Sequence, residues 1–464
     1  MKKVPLLPVF LSALLLFVGG AIGANPRPPT PRTQLSSSGT PAPSQKERAG
    51  VSAPWWQRAA SPELAQIVNQ ALSCNRELRV AFARLDAAKA LREEGSAGFF
   101  PVTTLSAGFR RQLDSTVFFQ GIPRGARDQN IFEVGFESAW ELDLFGRIRH
   151  SVAAAGGLAG AAEADLAQIR LLVVAETARA YTELATAQAA LPLQRRALAA
   201  EQESLRILCS QADEGKVSGD KIGPANAAVT SAQHLLRDLL ISERAARNRL
   251  AVLGGGGLAK ALNAPTIPKI PAPVLPADAS RLLARRPDVQ AAERRLAASK
   301  ATVGVATAEY FPTVTLVGRI GAETNELGNL GSADANTFAF GPRLQWDLLN
   351  LHRTMSRVQG AKAQSRQALA AWEDSILLAL EELDNALALR DESLAKVQEW
   401  GRTTAAMEEA GRVARLRAAQ GRIDPGEALA VEQGALQAQL ARLRAEAGLA
   451  NATIFLQKAC AFDR

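Results

Sequence analysis

The chain has 464 residues, enough for two or three ordinary domains or one extended one. Apolar residues make up 47% but aromatics only 5%, so the apolar share is mostly Ala, Leu and Val. That balance suits long helices with small contact residues and argues against a thick aromatic core. The net charge of +8 comes from Lys and Arg scattered at helical spacing among Glu and Asp, the pattern of solvated helix faces rather than the clustered stripe of a nucleic-acid binder.

The opening segment MKKVPLLPVFLSALLLFVGGAIGAN places Lys2 and Lys3 before an apolar run from Leu6 to Val18 and small residues through Ala24. It predicts a cleaved secretory signal over 1–24; the alternative, an anchoring helix, needs ~20 apolar residues. Residues 25–54 are rich in Pro and Ser and predict a disordered linker. No second apolar helix follows, so an exported chain of this kind is periplasmic, secreted, or in a membrane as a β-barrel. Cys74, Cys209 and Cys460 are widely spaced and suggest isolated thiols rather than a metal site or disulfide framework.

From Ser61 the apolar positions Leu64, Ile67, Val68, Ala71 and Leu72 recur at helical spacing. Ser61-Pro62-Glu63 reads as an N-cap with Pro in the first turn. The helical pattern stops before Pro101, because proline lacks the amide donor and disfavours helix in its predecessor. The Val, Thr and Leu residues beyond it favour strand. The same switch returns later: GFFPVTTL at 98–105 is echoed by EYFPTVTL at 309–316, with Pro312 as the second breaker.

Segments 131–143 (IFEVGFESAWELD) and 337–347 (TFAFGPRLQWD) alternate with period two. The first sets Phe132, Val134, Phe136, Trp140 and Leu142 against Glu133, Glu137 and Glu141. A strand of about 10 residues is long enough to cross a bilayer when tilted, although a soluble half-buried hairpin alternates too. Each strand pair precedes a long helical stretch: 147–215, interrupted at Pro192, and 352–421. At 1.5 Å per residue each would be roughly 100 Å long. Similar turns follow, ADEGKVSGDK (212–221) and AAQGRIDPGE (418–427), and then return helices, 224–253 and 425–456.

Aligned motifs establish a tandem duplication. Asn75-Arg76-Glu77-Leu78 matches Arg286-Pro287-Asp288-Val289, Asp143-Leu144 matches Asp347-Leu348, and Gly215-Lys216-Val217 matches Gly421-Arg422-Ile423. The expected organisation is a first repeat over 55–263, a Pro-rich linker over 264–276 and a second repeat over 277–460. Each repeat offers two long strands. Four strands cannot close a membrane barrel, and an open sheet in lipid leaves unpaired backbone groups at its edges. Two chains would supply eight strands and three would supply twelve. Glu133, Glu137 and Glu141 would then line the lumen, either biasing its ion selectivity or simply solvating a wet interior.

The junction Trp140-Glu141-Leu142-Asp143-Leu144-Phe145-Gly146-Arg147 resembles the strand-to-helix junction of the TolC-like outer-membrane efflux proteins. Arg285-Arg286-Pro287-Asp288-Val289 with Phe311-Pro312 is similar to the branch that partners RND-type pumps. The resemblance spans roughly 55–460 and implies a mainly α fold with a membrane β-barrel. Four strands per chain would join a shared 12-stranded trimeric barrel above a long α-helical periplasmic tunnel. It further implies an exit duct without catalysis or cofactor, embedded in outer-membrane lipid, with a periplasmic adaptor and an inner-membrane pump as partners. The tips holding Lys216, Asp220, Arg422, Asp424 and Glu427 would form the periplasmic gate and adaptor contact. Glu427 aligns with an acidic constriction, and Asp424 is equally an N-cap before Pro425.

Two departures stand out. There is no cysteine at the signal junction to carry lipid, so anchoring is expected to rest on the barrel. The second junction lacks Gly-Arg, and Asn350 is expected to supply the left-handed turn that Gly146 supplies in the first. No phosphate loop, metal cluster or nucleophile–base pair stands out, and the pairs Glu381-Glu382 and Glu408-Glu409 are expected on solvated faces. A protein-secretion duct and a soluble periplasmic coiled-coil scaffold are the competing functional readings.

Overall fold

The structure is a computed structural model that describes residues 54–256, 265–273 and 282–461. The signal segment and all but the last residue of the 25–54 linker lie outside the described residues, as do 264 and 274–276 of the inter-repeat linker. Two units emerge, a strand unit over 97–145 and 310–349 and a helical unit made of the rest.

The strand unit holds β1 (Val102–Leu113), β2 (Asp128–Leu142), β3 (Thr313–Thr324) and β4 (Asn336–Gln345) in one antiparallel sheet of order β1-β2-β3-β4. β2 and β4 thus begin and end slightly earlier than the alternation suggested. The first repeat meets the second at the β2–β3 seam, where Trp140 lies opposite Leu316 and Glu141 opposite Thr315. β1 and β4 are the sheet's two edges. The repeated Phe-Pro switch has a matching anchor in each copy. The Trp140 indole N–H donates to the Phe99 carbonyl at 2.9 Å, and Trp346 donates to the Tyr310 carbonyl at 3.1 Å. Phe145 stacks on Phe311 at 4.7 Å, joining the two copies near those anchors.

In the helical unit, α1 (Trp55–Arg58), α2 (Pro62–Cys74) and α3 (Arg76–Ala97) precede the sheet. The Ser61 side chain accepts from Leu64 N and caps α2 as its sequence demands. The single helix read from Ser61 onward is divided at Asn75, whose backbone is extended. A four-residue α4 (Arg124–Arg127) sits in the β1–β2 connection within the strand unit. The long hairpins are α5 (Arg147–Asp213) with α6 (Ile222–Leu253), and α8 (Leu351–Ala419) with α9 (Pro425–Ala459); α7 (Pro287–Ala308) leads into β3. Their long members have 67 and 69 residues, each about 100 Å.

Contrary to the interruption expected at Pro192, α5 runs through it unbroken. A mid-helix proline costs about 3 kcal/mol locally, and packing of the surrounding turn offsets it. Leu191 is buried, and the Gln194 amide reaches the Ala232 carbonyl of α6 at 3.1 Å. Thr404 of α8 bonds the Ala438 carbonyl of α9 at the same distance, tying the second hairpin likewise.

α5 packs on α2, α6, α7 and α9, while α8 packs on α7 and α9. Small residues make this layering possible. At Gly304 of α7 any β-carbon would fall within 2.6 Å of the His150 ring. The main core gathers Trp55, Trp56, Leu64, Tyr181, Leu184, Leu250 and Ile454. Tyr181 donates to Glu63 at 3.0 Å and lies 3.0 Å from the Ser61 hydroxyl; burial pushes its phenol up to about 12.

Helix ends are tied to one another at the start of each repeat. The Asn75 amide donates to the last carbonyl of α6, at Leu253, at 3.1 Å, while its oxygen caps α3 through Glu77 N and Leu78 N. The matching residue of the second repeat, Arg286, donates to the Ala459 carbonyl at the end of α9 at 2.8 Å. Arg286 is 6% exposed and holds Asp288 and Glu382 at 2.6 Å each; Lys458 holds Glu382 at 2.7 Å. Glu382 therefore does not lie on the solvated face expected of it. Glu409 does, pairing with Arg412 on the surface.

At the first strand-to-helix junction Gly146 has φ 82°, the left-handed conformation that favours glycine. At the second, Asn350 has φ −106°, so it does not take the left-handed role expected. A 3-10 turn over Leu348–Asn350 feeds directly into α8 and removes the need for a left-handed residue.

Candidate functional site: sheet face and hairpin tips

Cross-strand register sorts the sheet into two faces. One carries Leu105, Phe109, Phe136, Ile320, Phe338 and Phe340, all large, apolar and exposed. Such an array is unfavourable in water and suits a lipid solvent. The other face carries Glu133, Glu137 and Glu141, and the register adds Arg110 from β1, Arg319 and Glu323 from β3, and Arg343 from β4. Arg110 and Arg319 each reach the same Glu133 oxygen at 3.0 Å, and Arg110 lies 3.6 Å from Glu323. Glu137 borders an open groove of about 480 Å³ with Arg319 and Arg343. The face is therefore a mixed-charge surface. β2 read alone displayed only carboxylates, because the arginines come from strands whose register the sequence does not state.

At the first tip, Gly215 is left-handed at φ 70°, and Lys216 pairs with Glu214 at 2.6 Å within the same turn, which raises its ammonium pKa. Asp220 lies in a 3-10 turn over Gly219–Lys221. At the second tip, Gly421 is left-handed at φ 68° and Arg422 follows it. The Asp424 carboxylate caps α9 through Gly426 N at 2.7 Å and accepts from Gln211 of α5 at 3.2 Å. Glu427 sits in the first turn of α9. Of the five tip residues singled out, the described contacts bring Asp424 alone to the other hairpin.

A second inter-hairpin tie is one the sequence reading missed. Glu432, on α9, lies 3.3 Å from Arg196 of α5 and 3.8 Å from Arg415 of α8. Its only sequence signal is a carboxylate two turns beyond a cap; its partners are hundreds of positions or a hairpin away. Among the described residues no cluster of His, Cys, Asp and Glu has metal-binding geometry, and no helix is long and apolar enough to cross a membrane.

A sheet with one apolar and one charged face, joined in sequence to helical hairpins about 100 Å long, is the pattern of an outer-membrane channel subunit. Comparison with known proteins gives the particular family. The outer membrane efflux protein family matches residues 67–256 and 279–461, and the chain belongs to that family. TtgC of Pseudomonas putida, a probable efflux pump outer membrane protein, is 30% identical over 391 residues, covering 82% of this chain and 79% of the relative. The outer membrane protein OprJ of Pseudomonas aeruginosa is 29% identical, covering 83% and 81%. Among solved structures, the outer-membrane channel OprN superposes with a TM-score of 0.79 at 34% identity over 89% of this chain and 92% of its own. The open MtrE channel of Neisseria gonorrhoeae gives 0.76 at 27% over 87% and 90%. The protein is an efflux channel of the outer membrane. The scaffold and secretion-duct readings find no counterpart in these relatives.

Proposed function

We propose that three copies close one 12-stranded barrel and that their hairpins form a periplasmic tunnel through which small molecules leave the cell. The single observation behind this is the open sheet: β1 and β4 are unpaired edges, and in lipid each unpaired backbone group costs several kcal/mol. The duplication supplies the closing register. β4 corresponds to β2 and β1 to β3, so the β2–β3 seam is the template for a β4–β1 seam between copies. Transferring Glu141 opposite Thr315, through the repeat alignment, puts Gln345 opposite Thr104 of the next copy.

The domain division is two repeats, 55–263 and 277–460, joined by the 264–276 linker. The duct itself is passive and has no catalytic step; a periplasmic adaptor and an inner-membrane pump of the RND type supply selection and energy. Relatives named for toluene, antibiotic and solvent efflux favour small, largely apolar cargo. In the barrel, Glu133, Glu137 and Glu141 line the lumen, with Glu133 neutralised by Arg110 and Arg319. At the tips, the Arg196–Glu432–Arg415 contact and the Gln211–Asp424 bond hold the hairpins together in the closed tunnel, and Lys216, Asp220, Arg422 and Glu427 face the adaptor.

Planar-bilayer recordings of the purified chain test this. The unaltered protein should open rarely, and Glu432→Gln should raise the open fraction several-fold at unchanged single-channel conductance. Absence of discrete channels from both proteins would defeat the duct reading; identical gating would defeat the tip assignment alone.

A further inference from the structure

Where α7 runs beside α8, an open groove of about 380 Å³ is lined by Lys300, Val303, Lys362, Ser365 and Arg366. Lys300 comes from α7, while Lys362 and Arg366 stand one turn apart on α8. Like charges at that helical spacing repel, and a third cation faces them across the groove. None of the three makes an ion pair or hydrogen bond among the described residues. Arginines elsewhere on these helices behave differently: Arg357 pairs with Glu309, Arg179 with Glu176 and Glu183, and Arg412 with Glu409.

The lack of a counter-charge is written into the sequence. Residues 348–372 contain no Asp or Glu and four Lys or Arg, and residues 294–308 contain no carboxylate either. No carboxylate therefore stands three or four residues from Lys300, Lys362 or Arg366 on either helix. Its half-buried floor is Val303, and Ser365 adds a hydroxyl at the edge. A guanidinium fork, two ammonium groups and a hydroxyl around one cleft match a group with several acceptor oxygens and up to two negative charges.

We propose that this groove binds a phosphate group. α8 begins at Leu351, shortly after β4 ends at Gln345, and Lys362 lies eleven residues further on, about 16 Å along the helix. Basic segments next to membrane-spanning elements attract anionic lipid headgroups, so a phospholipid headgroup is the leading source of that phosphate and free phosphate is the other. The groove lies between two helices of one chain.

The test is native mass spectrometry of the full chain released from detergent, with phosphatidylglycerol, phosphatidylcholine or inorganic phosphate added. The unaltered chain, Lys362→Gln/Arg366→Gln, Lys300→Gln and a distant control, Lys396→Gln, are compared after matching their helicity and outer-membrane recovery. Retention of phosphatidylglycerol should fall about tenfold or more in the double variant, less in Lys300→Gln, and not in the control. If inorganic phosphate alone shows this dependence, the site stands and its ligand is the free ion. Equal adducts in all four proteins would overturn the proposal. So would carbodiimide cross-linking that joins Lys300 or Lys362 to a carboxylate of another copy, since the groove would then be filled by protein.

Discussion

Two junctions do the same work with different chemistry. At Asn75 a neutral amide caps the end of α6 and the start of α3 at once. At Arg286 a buried guanidinium caps α9, and its charge brings Asp288, Glu382 and Lys458 with it. Duplication has kept the carbonyl that must be satisfied and changed the group that satisfies it. A neutral cap ends its obligations with the hydrogen bond. A buried cation acquires further ones, because an unpaired charge away from water is expensive.

The comparison is broken most directly by truncating each cap. Arg286→Ala leaves two carboxylates around a lost cation and should destabilise the helical unit by about 3–5 kcal/mol. Asn75→Ala loses a cap and one inter-helix bond and should cost about 1–2 kcal/mol. Thermal melts in detergent should rank them in that order, and equal losses would show that the charge cluster adds nothing beyond the carbonyl bond. The strand-to-helix junctions sharpen the contrast at smaller scale. Gly146→Ala forces a side chain into left-handed backbone at about 1–2 kcal/mol, whereas Asn350→Ala, at φ −106°, should change the melt by under ~0.5 kcal/mol.

A pH series isolates the charge. Burial alone would raise Glu382, but hydrogen bonds from Lys458 and Arg286 outweigh it and hold the carboxyl below its ordinary value of 4.5. A depressed folded pKa stabilises above the unfolded value and is lost as pH falls through the folded one. The melting gap between the unaltered chain and Glu382→Gln should be wide at neutral pH, begin to narrow near pH 4.5 and close as pH falls through the lower folded value; a pH-independent gap would make the cluster steric. The smallest effect concerns Cys460, whose buried thiol is pushed up to about 11. At pH 8 it should resist alkylation that labels the exposed Cys74, until the chain is unfolded.

Much of this architecture was legible because it is periodic. The two Phe-Pro switches, the alternating strands, the glycine stops and the Ser61 and Asp424 caps are local signals with local causes. The errors came where distant packing overrules local preference. Pro192 reads as a break until the turn around it is fixed against α6. Asn350 reads as a glycine substitute until a 3-10 turn makes one unnecessary. Glu382 reads as a surface carboxylate until Arg286, almost a hundred positions away, is folded against it. The sheet's charge balance was hidden for the same reason, since Glu133 meets Arg110 and Arg319 only through register.

The central claim is that copies of this chain close one barrel along the register of the internal seam. The most direct test is a disulfide between edge strands in the full chain with Cys74, Cys209 and Cys460 replaced by alanine. Directly opposite residues in antiparallel strands lie about 4.5–5.5 Å apart, within disulfide reach. Outer membranes carrying Thr104→Cys with Gln345→Cys should yield, on oxidation, linked species up to three chains and no larger. Cross-linking confined to a shifted pair such as Thr104→Cys with Arg343→Cys would contradict the register, and monomers from both pairs would contradict the shared barrel.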